Sequence, residues 1–273
     1  MIIRNATYND LDAMASVYAR AFGFKGDISL VKMVFEVCLE VQPDGCFVAC
    51  LDNRVVGTGC FFIYGSFAWV GGVCVVPEYQ RRGIGTRIME RILRELKTRG
   101  IETIRLDSTK AGYRLYKKLG FIEEYKTITY DLSNIDTSLC PSKDEVEVLD
   151  NIPDFVAETD RMVFGGDRVR VLRAWLKRGA KLLVIRDQGY AMVQKTRIGP
   201  VIANNEDTAC TLILESIRLG VTKITIPEAN TKAVELMNKV GAKPLVYCTR
   251  MRLGPKYNED TSKIYGILNY AKG

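Results

Sequence analysis

The sequence predicts an α/β (α+β) chain of two tandem domains, each a mixed, mainly antiparallel sheet flanked by helices. Three observations predict it. Across residues 1–132 the apolar period alternates between two and 3.6, in the order strand, two helices, three strands, helix, strand, helix, strand. Residues 133–143, where Asn, Asp, Thr, Ser and Pro cluster, read as a linker. Beyond them the pattern returns: Tyr116-Lys117-Lys118-Leu119-Gly120-Phe121 matches Met237-Asn238-Lys239-Val240-Gly241-Ala242 at a shift of 121 residues. Residues 1–132 are thus the first copy and residues 144–273 the second, and 273 residues suit two ordinary domains.

In order, residues 2–6 form a short strand, and Asn9 or Asp10 caps a helix whose face is Leu11, Met14, Val17, Tyr18, Ala21 and Phe22. Gly23 and Gly26 break that helix, and a second runs over about 28–39. After the turn Pro43-Asp44-Gly45, strands over 46–51 and 54–64 form a hairpin around Asp52-Asn53. Gly65-Ser66 leads into the strand that ends Val73-Cys74-Val75-Val76, and Pro77, which has no N–H, ends its ladder. From Thr86, Ile88, Met89, Ile92, Leu93 and Leu96 recur at helical spacing as far as Gly100. A strand over 101–106, a short helix capped by Asp107-Ser108-Thr109, and a strand over 121–132 complete the copy. The aromatic group Phe61, Phe62, Tyr64, Phe67 and Trp69 reads as core and domain interface, with an acceptor-pocket lining as the lesser alternative.

Between the fourth strand and the long helix lies Gln80-Arg81-Arg82-Gly83-Ile84-Gly85-Thr86, at a helix N-terminus whose free N–H groups and dipole attract anions. Gly83 and Gly85 let backbone approach an anion closely, and Arg81 and Arg82 add charge. The spacing is neither the dinucleotide fingerprint, whose third glycine would fall on Ile88, nor a P-loop, which needs Gly-Lys-Ser/Thr. The same shift carries this loop onto Ile202-Ala203-Asn204-Asn205-Glu206, without glycine or cation, and Tyr116 onto Met237. It sets the preceding strand on residues 191–196 and the helix 86–99 on 207–220. One anion site per chain follows.

Composition narrows the function further. A formal charge of +7 is a mild excess, and the basic residues are spread rather than interleaved with aromatics, which argues against nucleic acid. No apolar run approaches the ~20 residues of a membrane span, and the N-terminus lacks a signal peptide's apolar core, so a cytoplasmic protein is expected. Eight cysteines without a Cys-x-x-Cys pair read as buried free thiols, not a zinc site. The absence of histidine removes Ser-His and Cys-His machinery.

Gln80-Arg81-Arg82-Gly83-Ile84-Gly85 resembles the acetyl-CoA loop of the GNAT acetyltransferase superfamily. Leu115-Tyr116-Lys117-Lys118-Leu119-Gly120-Phe121 resembles that family's second signature, and the two occur in the family's order within residues 1–132. The second half resembles a diverged GNAT-like domain fused behind a catalytic one. The resemblance implies acetyl-CoA as co-substrate and no metal. It implies that Val73, Cys74 and Val75 present strand backbone to the pantetheine arm and that Arg81, Arg82, Gly83, Ile84, Gly85 and Thr86 wrap the pyrophosphate. Thr109 stands where the family often has a CoA-contacting Asn. Tyr116 matches the family's general acid; on spacing alone it is equally an amphipathic Tyr at a helix edge.

The chemistry is coherent. Attack of an amine on a thioester expels a thiolate of pKa ~8.5, and a phenol near ~10 can protonate it. The base is open among Asp107, Glu78, Asp160 and Asp167. The expected activity is N-acetyl transfer to a primary amine, on a small molecule or a protein, by direct attack in a ternary complex. The alternative is a non-catalytic CoA-binding sensor. Nothing in the sequence sets the acceptor or the oligomeric state.

Overall fold

The computed structural model describes residues 1–140 and 145–273. β1 (Ile2–Asn5) is followed by α1 (Leu11–Phe22), preceded by Asp10, whose carboxylate Arg4 holds at 2.7 Å. That pairing, with the Thr7 N–H, keeps the Asp10 carboxyl down at about 2. α2 (Ile28–Val41) is capped by Asp27, which accepts from the Ser29 N–H at 2.9 Å. β2 (Cys46–Leu51) and β3 (Arg54–Ile63) are joined by Asp52 and Asn53, both left-handed (φ 48° and 60°), the turn that suits strand twist. Then come β4 (Phe67–Val75) and α3 (Ile84–Thr98), which buries Ile84, Ile88, Met89, Ile92 and Leu96 against the sheet. Each such side chain contributes about 1.5–3 kcal/mol on burial, enough to fix how this helix sits. β5 (Thr103–Ser108), α4 (Tyr113–Lys118) and β6 (Ile122–Asp131) close the half.

Two helix starts differ from the sequence reading. α3 begins at Ile84 rather than Thr86. α4 begins at Tyr113, so Asp107, Ser108 and Thr109 do not cap it. Instead the Thr109 carbonyl accepts from the Gly112 and Tyr113 N–H groups at 3.1 Å each, closing a turn first. Asp107 is drawn away to an arginine described below. Residues 133–140 leave the sheet through a short turn (Thr137–Leu139), and residues 141–143 of the expected linker lie outside the described residues.

The second half repeats the order. It runs β7 (Glu147–Leu149), α5 (Asp154–Phe164), α6 (Val169–Leu176), β8 (Lys181–Ile185), β9 (Gly189–Gln194) and β10 (Arg197–Ala203). α7 (Glu206–Arg218), β11 (Lys223–Pro227), α8 (Thr231–Lys239) and β12 (Lys243–Leu253) follow, then an additional β13 (Ile264–Gly266). The 121-residue shift holds for α3 on α7, β5 on β11, α4 on α8 and β6 on β12, but not upstream of α3. The counterpart of β4 is Arg197–Ala203, not residues 191–196, which fall mostly in β9. The cause is a deletion: only Asn204 and Asn205 separate β10 from α7, where residues 76–83 separate β4 from α3.

Both halves share one sheet, in the order β1-β2-β3-β4-β5-β12-β6-β11-β10-β9-β8-β7 with β13 on β10. Among the described residues only β4–β5 and β10–β11 are parallel. The closing strands are exchanged: β12 lies between β5 and β6, and β6 between β12 and β11. A buried polar cluster seals this crossing. Arg105 pairs with Glu124 at 2.7 Å and Glu259 at 3.0 Å, and Arg250 pairs with Asp107 at 2.9 Å. Tyr125 links the two by donating to Glu259 at 2.9 Å and accepting from Arg250 at 3.0 Å. Phe62, Tyr64, Phe67 and Trp69 are buried where the halves meet, with Tyr64 donating to the Lys272 carbonyl and Trp69 to that of Tyr270. Phe61 instead faces the other side of the sheet and packs on Phe47 in the first half's core. Among the described residues every cysteine is a free thiol.

Candidate active site

β4 and β5 part company halfway along. Phe67–Val70 pair with Thr103–Leu106, and beyond Val70 the ladder stops. From there β4 keeps only β3, through a bulge between the partners of Thr58 and Cys60 where Gly72 is left-handed (φ 63°). The Val76 N–H bonds the Val56 carbonyl at 3.0 Å, so by strand alternation the backbone of Val75 and Val73 points the other way, into the opening. Gln80 fills part of it, donating to the Val75 carbonyl at 2.8 Å. Cys74 differs from its neighbours: its backbone pairs with Thr58, and its thiol, 3.1 Å from the Thr58 hydroxyl, is pushed up to about 12 by burial.

The loop above the opening is built for an anion. α3 has no side-chain cap, and its first backbone bond is from the Arg87 N–H to the Gly83 carbonyl, which leaves the N–H groups of Ile84, Gly85 and Thr86 without a helical acceptor. Gly83 is left-handed (φ 79°), and so is Arg81 (φ 59°), a costly state for a side-chain-bearing residue of the kind found at functional turns. Arg81 and Arg82 are exposed, with Arg82 stacked on Tyr79. A β-carbon at Gly85 would stand 3.6 Å from Leu115, an ordinary contact, so Gly83 carries the backbone requirement. The donors, charges and open strand edge all fit a phosphate-bearing thioester.

Across the opening, α4 presents Tyr116, packed edge-on against Phe121 with ring centres 5.8 Å apart. Burial, and after it the neighbouring Cys74 and Cys248 thiols, raise its hydroxyl above the usual value. The hydroxyl makes no hydrogen bond to a described residue. Thr109 lies in the turn before α4, its hydroxyl 3.4 Å from the Gly112 N–H.

A cavity of about 440 Å³ lies on the other side of the β4 bulge, walled by both halves. The first half contributes Tyr18, Asp27 and the Gly71–Gly72 backbone, and the second Trp175, Lys195, Arg197 and Lys223. The chain's last residues complete it: Tyr270 and Ala271 pass so close to β4 that a β-carbon at Gly71 would come within 2.4 Å of Ala271. Tyr18 lies within electrostatic reach of Cys74, Arg197 and Cys248. The equivalent opening of the second half is filled. β10 and β11 part after Ile198 and Ile224, and β13 enters there, pairing Val201 with Gly266 and Ile202 with Ile264.

The candidate bases are largely committed elsewhere. Asp107 is gripped by Arg250 through both oxygens and by Thr127. Asp160, fully buried, pairs with Arg168 and Tyr190. Glu78 and Asp167 are exposed and pair with Arg20 and Arg161. Tyr18, Cys248 and Tyr270 were not recognised as site residues from sequence; the dipeptide Gly71-Gly72 inside a strand was the available signal for the bulge.

Family models for "Acetyltransferase (GNAT) family" and "Acetyltransferase (GNAT) domain" match residues 9–121 and 156–266 respectively. The crystal structure of a Pyrococcus horikoshii protein described as an acetyltransferase is similar over 100% of this chain and 95% of its own, with 43% identity and TM-score 0.94. A tandem GNAT protein from the clavulanic acid biosynthesis pathway shares the fold (TM-score 0.64, 14% identity, 93% and 99% coverage). The uncharacterized N-acetyltransferase YitH of Bacillus subtilis is 28% identical over 66% of this chain and 67% of its own length. The [ribosomal protein bS18]-alanine N-acetyltransferase of Salmonella typhimurium is 43% identical over 26% of this chain, about half (51%) of its own length.

Proposed function

The chain belongs to the GNAT acetyltransferase family, and on that premise we propose that it has one catalytic site, in the opening between β4 and β5, that acetylates a primary amine entering between the halves. Acetyl-CoA supplies the activated acetyl group. The α3 N-terminus with Arg81, Arg82 and Gly83 through Thr86 holds its pyrophosphate, while Val73 and Val75 offer backbone to the pantetheine arm. The amine nitrogen attacks the thioester carbon, its C–N bond forming as the C–S bond breaks, with strand N–H groups facing the developing oxyanion. Tyr116 gives its proton to the departing sulfur, and burial keeps that proton in place across the working pH range. With Asp107 and Asp160 locked by arginines, the amine's proton leaves to solvent in the cleft, and the neutral amine is the reacting species.

The observation that carries this reading is the open edge of Val73 and Val75 lying between an uncapped helix start and an unbonded tyrosine hydroxyl. The relatives that acetylate an alanine of a ribosomal protein make a protein terminus one acceptor to test beside small amines. The test is thiol release from acetyl-CoA with an amine panel. Tyr116→Phe should lower turnover about 10²–10⁴-fold while acetyl-CoA affinity holds. CoA binding with no turnover on any amine would favour the sensor instead.

A further inference from the structure

The cavity between the halves is rich in donors and poor in acceptors. Its lining carries Arg178, Lys195, Arg197 and Lys223 against one carboxylate, Asp27. Arg178 is already spent on Glu36 and Glu40, and the Asp27 carboxylate on the N–H and hydroxyl of Ser29. Lys195, Arg197 and Lys223 form no ion pair among the described residues, although Arg197 and Lys223 stand side by side in the parallel ladder. Trp175, 6% exposed, also lines the cavity, and its indole N–H is the one buried side-chain donor without a partner among the described residues. Such a donor costs about 1–3 kcal/mol unless something accepts from it.

Arg197 is also braced. Its Nη1 donates to Thr225 at 3.3 Å, Thr225 lies 2.8 Å from Thr129, and Thr129 lies 2.6 Å from the Tyr270 hydroxyl. This chain of hydroxyls crosses β10, β11 and β6 and ends beside Cys248, next to the Tyr116 pocket. One N–H of the guanidinium is used, which leaves the rest of its planar fork for a ligand with two oxygens.

Resting on the function proposed above, we propose that the acceptor is a small primary amine that also bears a carboxylate or phosphate, and that Arg197 holds this anionic group. The amine then lies toward the Gly71–Gly72 bulge and the anion toward the second half. The second half therefore sets acceptor choice through Arg197.

The test compares matched acceptors: 4-aminobutyrate with 4-aminobutanol, and phosphoethanolamine with ethanolamine. The wild-type chain should prefer the anionic member of at least one pair by about tenfold or more in kcat/KM, and the pair that responds distinguishes carboxylate from phosphate. Arg197→Gln should collapse that ratio, chiefly through KM, and Arg197→Lys should restore part of it. Equal use of anionic and neutral amines, or an unchanged ratio in Arg197→Gln, overturns the proposal. A second readout stands apart from turnover: with CoA present, 4-aminobutyrate or phosphoethanolamine should change the fluorescence of Trp175, and Arg197→Gln or Trp175→Phe should abolish the change. If no amine releases thiol, the catalytic reading fails and this titration alone decides whether the cavity binds an anion.

Discussion

Arg250, on the strand that the second half sends into the first, holds both carboxylate oxygens of Asp107, at 2.9 and 3.1 Å. The pair is almost wholly out of solvent, with side chains 1% and 0% exposed. Removing one partner strands a buried charge, so Arg250→Ala should lower unfolding free energy by about 3–5 kcal/mol. Urea denaturation checks it. A loss under about 1 kcal/mol would mean that solvent reaches Asp107, and would return it to the list of bases.

The exchange of β6 and β12 makes the halves interdependent. In residues 1–132 alone, β5 and β6 lose the strand between them, and Arg105 loses Glu259. That fragment should show no cooperative unfolding transition by circular dichroism. A folded fragment that binds acetyl-CoA would show that the exchange is dispensable.

Gly83 and Gly85 should respond differently to the same methyl group. Gly83→Ala forces a side chain into a left-handed conformation (φ 79°), which costs about 1–2 kcal/mol and disturbs the loop proposed to hold the pyrophosphate. Gly85→Ala meets only an ordinary contact at 3.6 Å and should leave the unfolding midpoint unchanged. Thermal melts with and without acetyl-CoA separate the two effects; equal midpoints for both variants would contradict the assignment of strain to Gly83.

Stability should fail on the alkaline side. The hydroxyls of Tyr64, Tyr116, Tyr125, Tyr190 and Tyr270 are all raised above their usual value, burial being the main cause. In the unfolded chain they ionise near pH 10. Their contribution is therefore complete below about pH 10 and lost as pH rises beyond it, because the unfolded state releases protons that the folded state retains. The buried Cys74 and Cys248 thiols, each pushed up to about 12, add a loss that begins at about pH 8.5. Urea midpoints measured between pH 8 and 11 should therefore start to fall there and steepen beyond about 10. A midpoint level to pH 11 contradicts this.

Much of the molecule was legible in the sequence, for physical reasons that are local. Asp52-Asn53 announces its turn because few residues tolerate left-handed backbone, and α3 announces its buried face by spacing. The repeat was visible as α3 on α7, α4 on α8 and β6 on β12. The strand exchange was not, because the alternation in β6 and β12 says which face is buried but not which strand lies alongside. The cavity was hidden for the same reason: Tyr18 reads as one more residue of a helix face, and only the fold brings Arg197 and Tyr270 to it. Cys38, Cys46 and Cys60, whose sulfurs lie within 4.8 Å of one another, likewise share no sequence spacing.

We propose that the duplicated fold keeps a single acetyl-CoA site. In the second half the loop is reduced to Asn204 and Asn205, and β13 occupies the opening between β10 and β11. Calorimetric titration of acetyl-CoA into the full chain measures this directly. One site per chain, weakened by Gly83→Ala, is the predicted result; two equivalent sites per chain would contradict it.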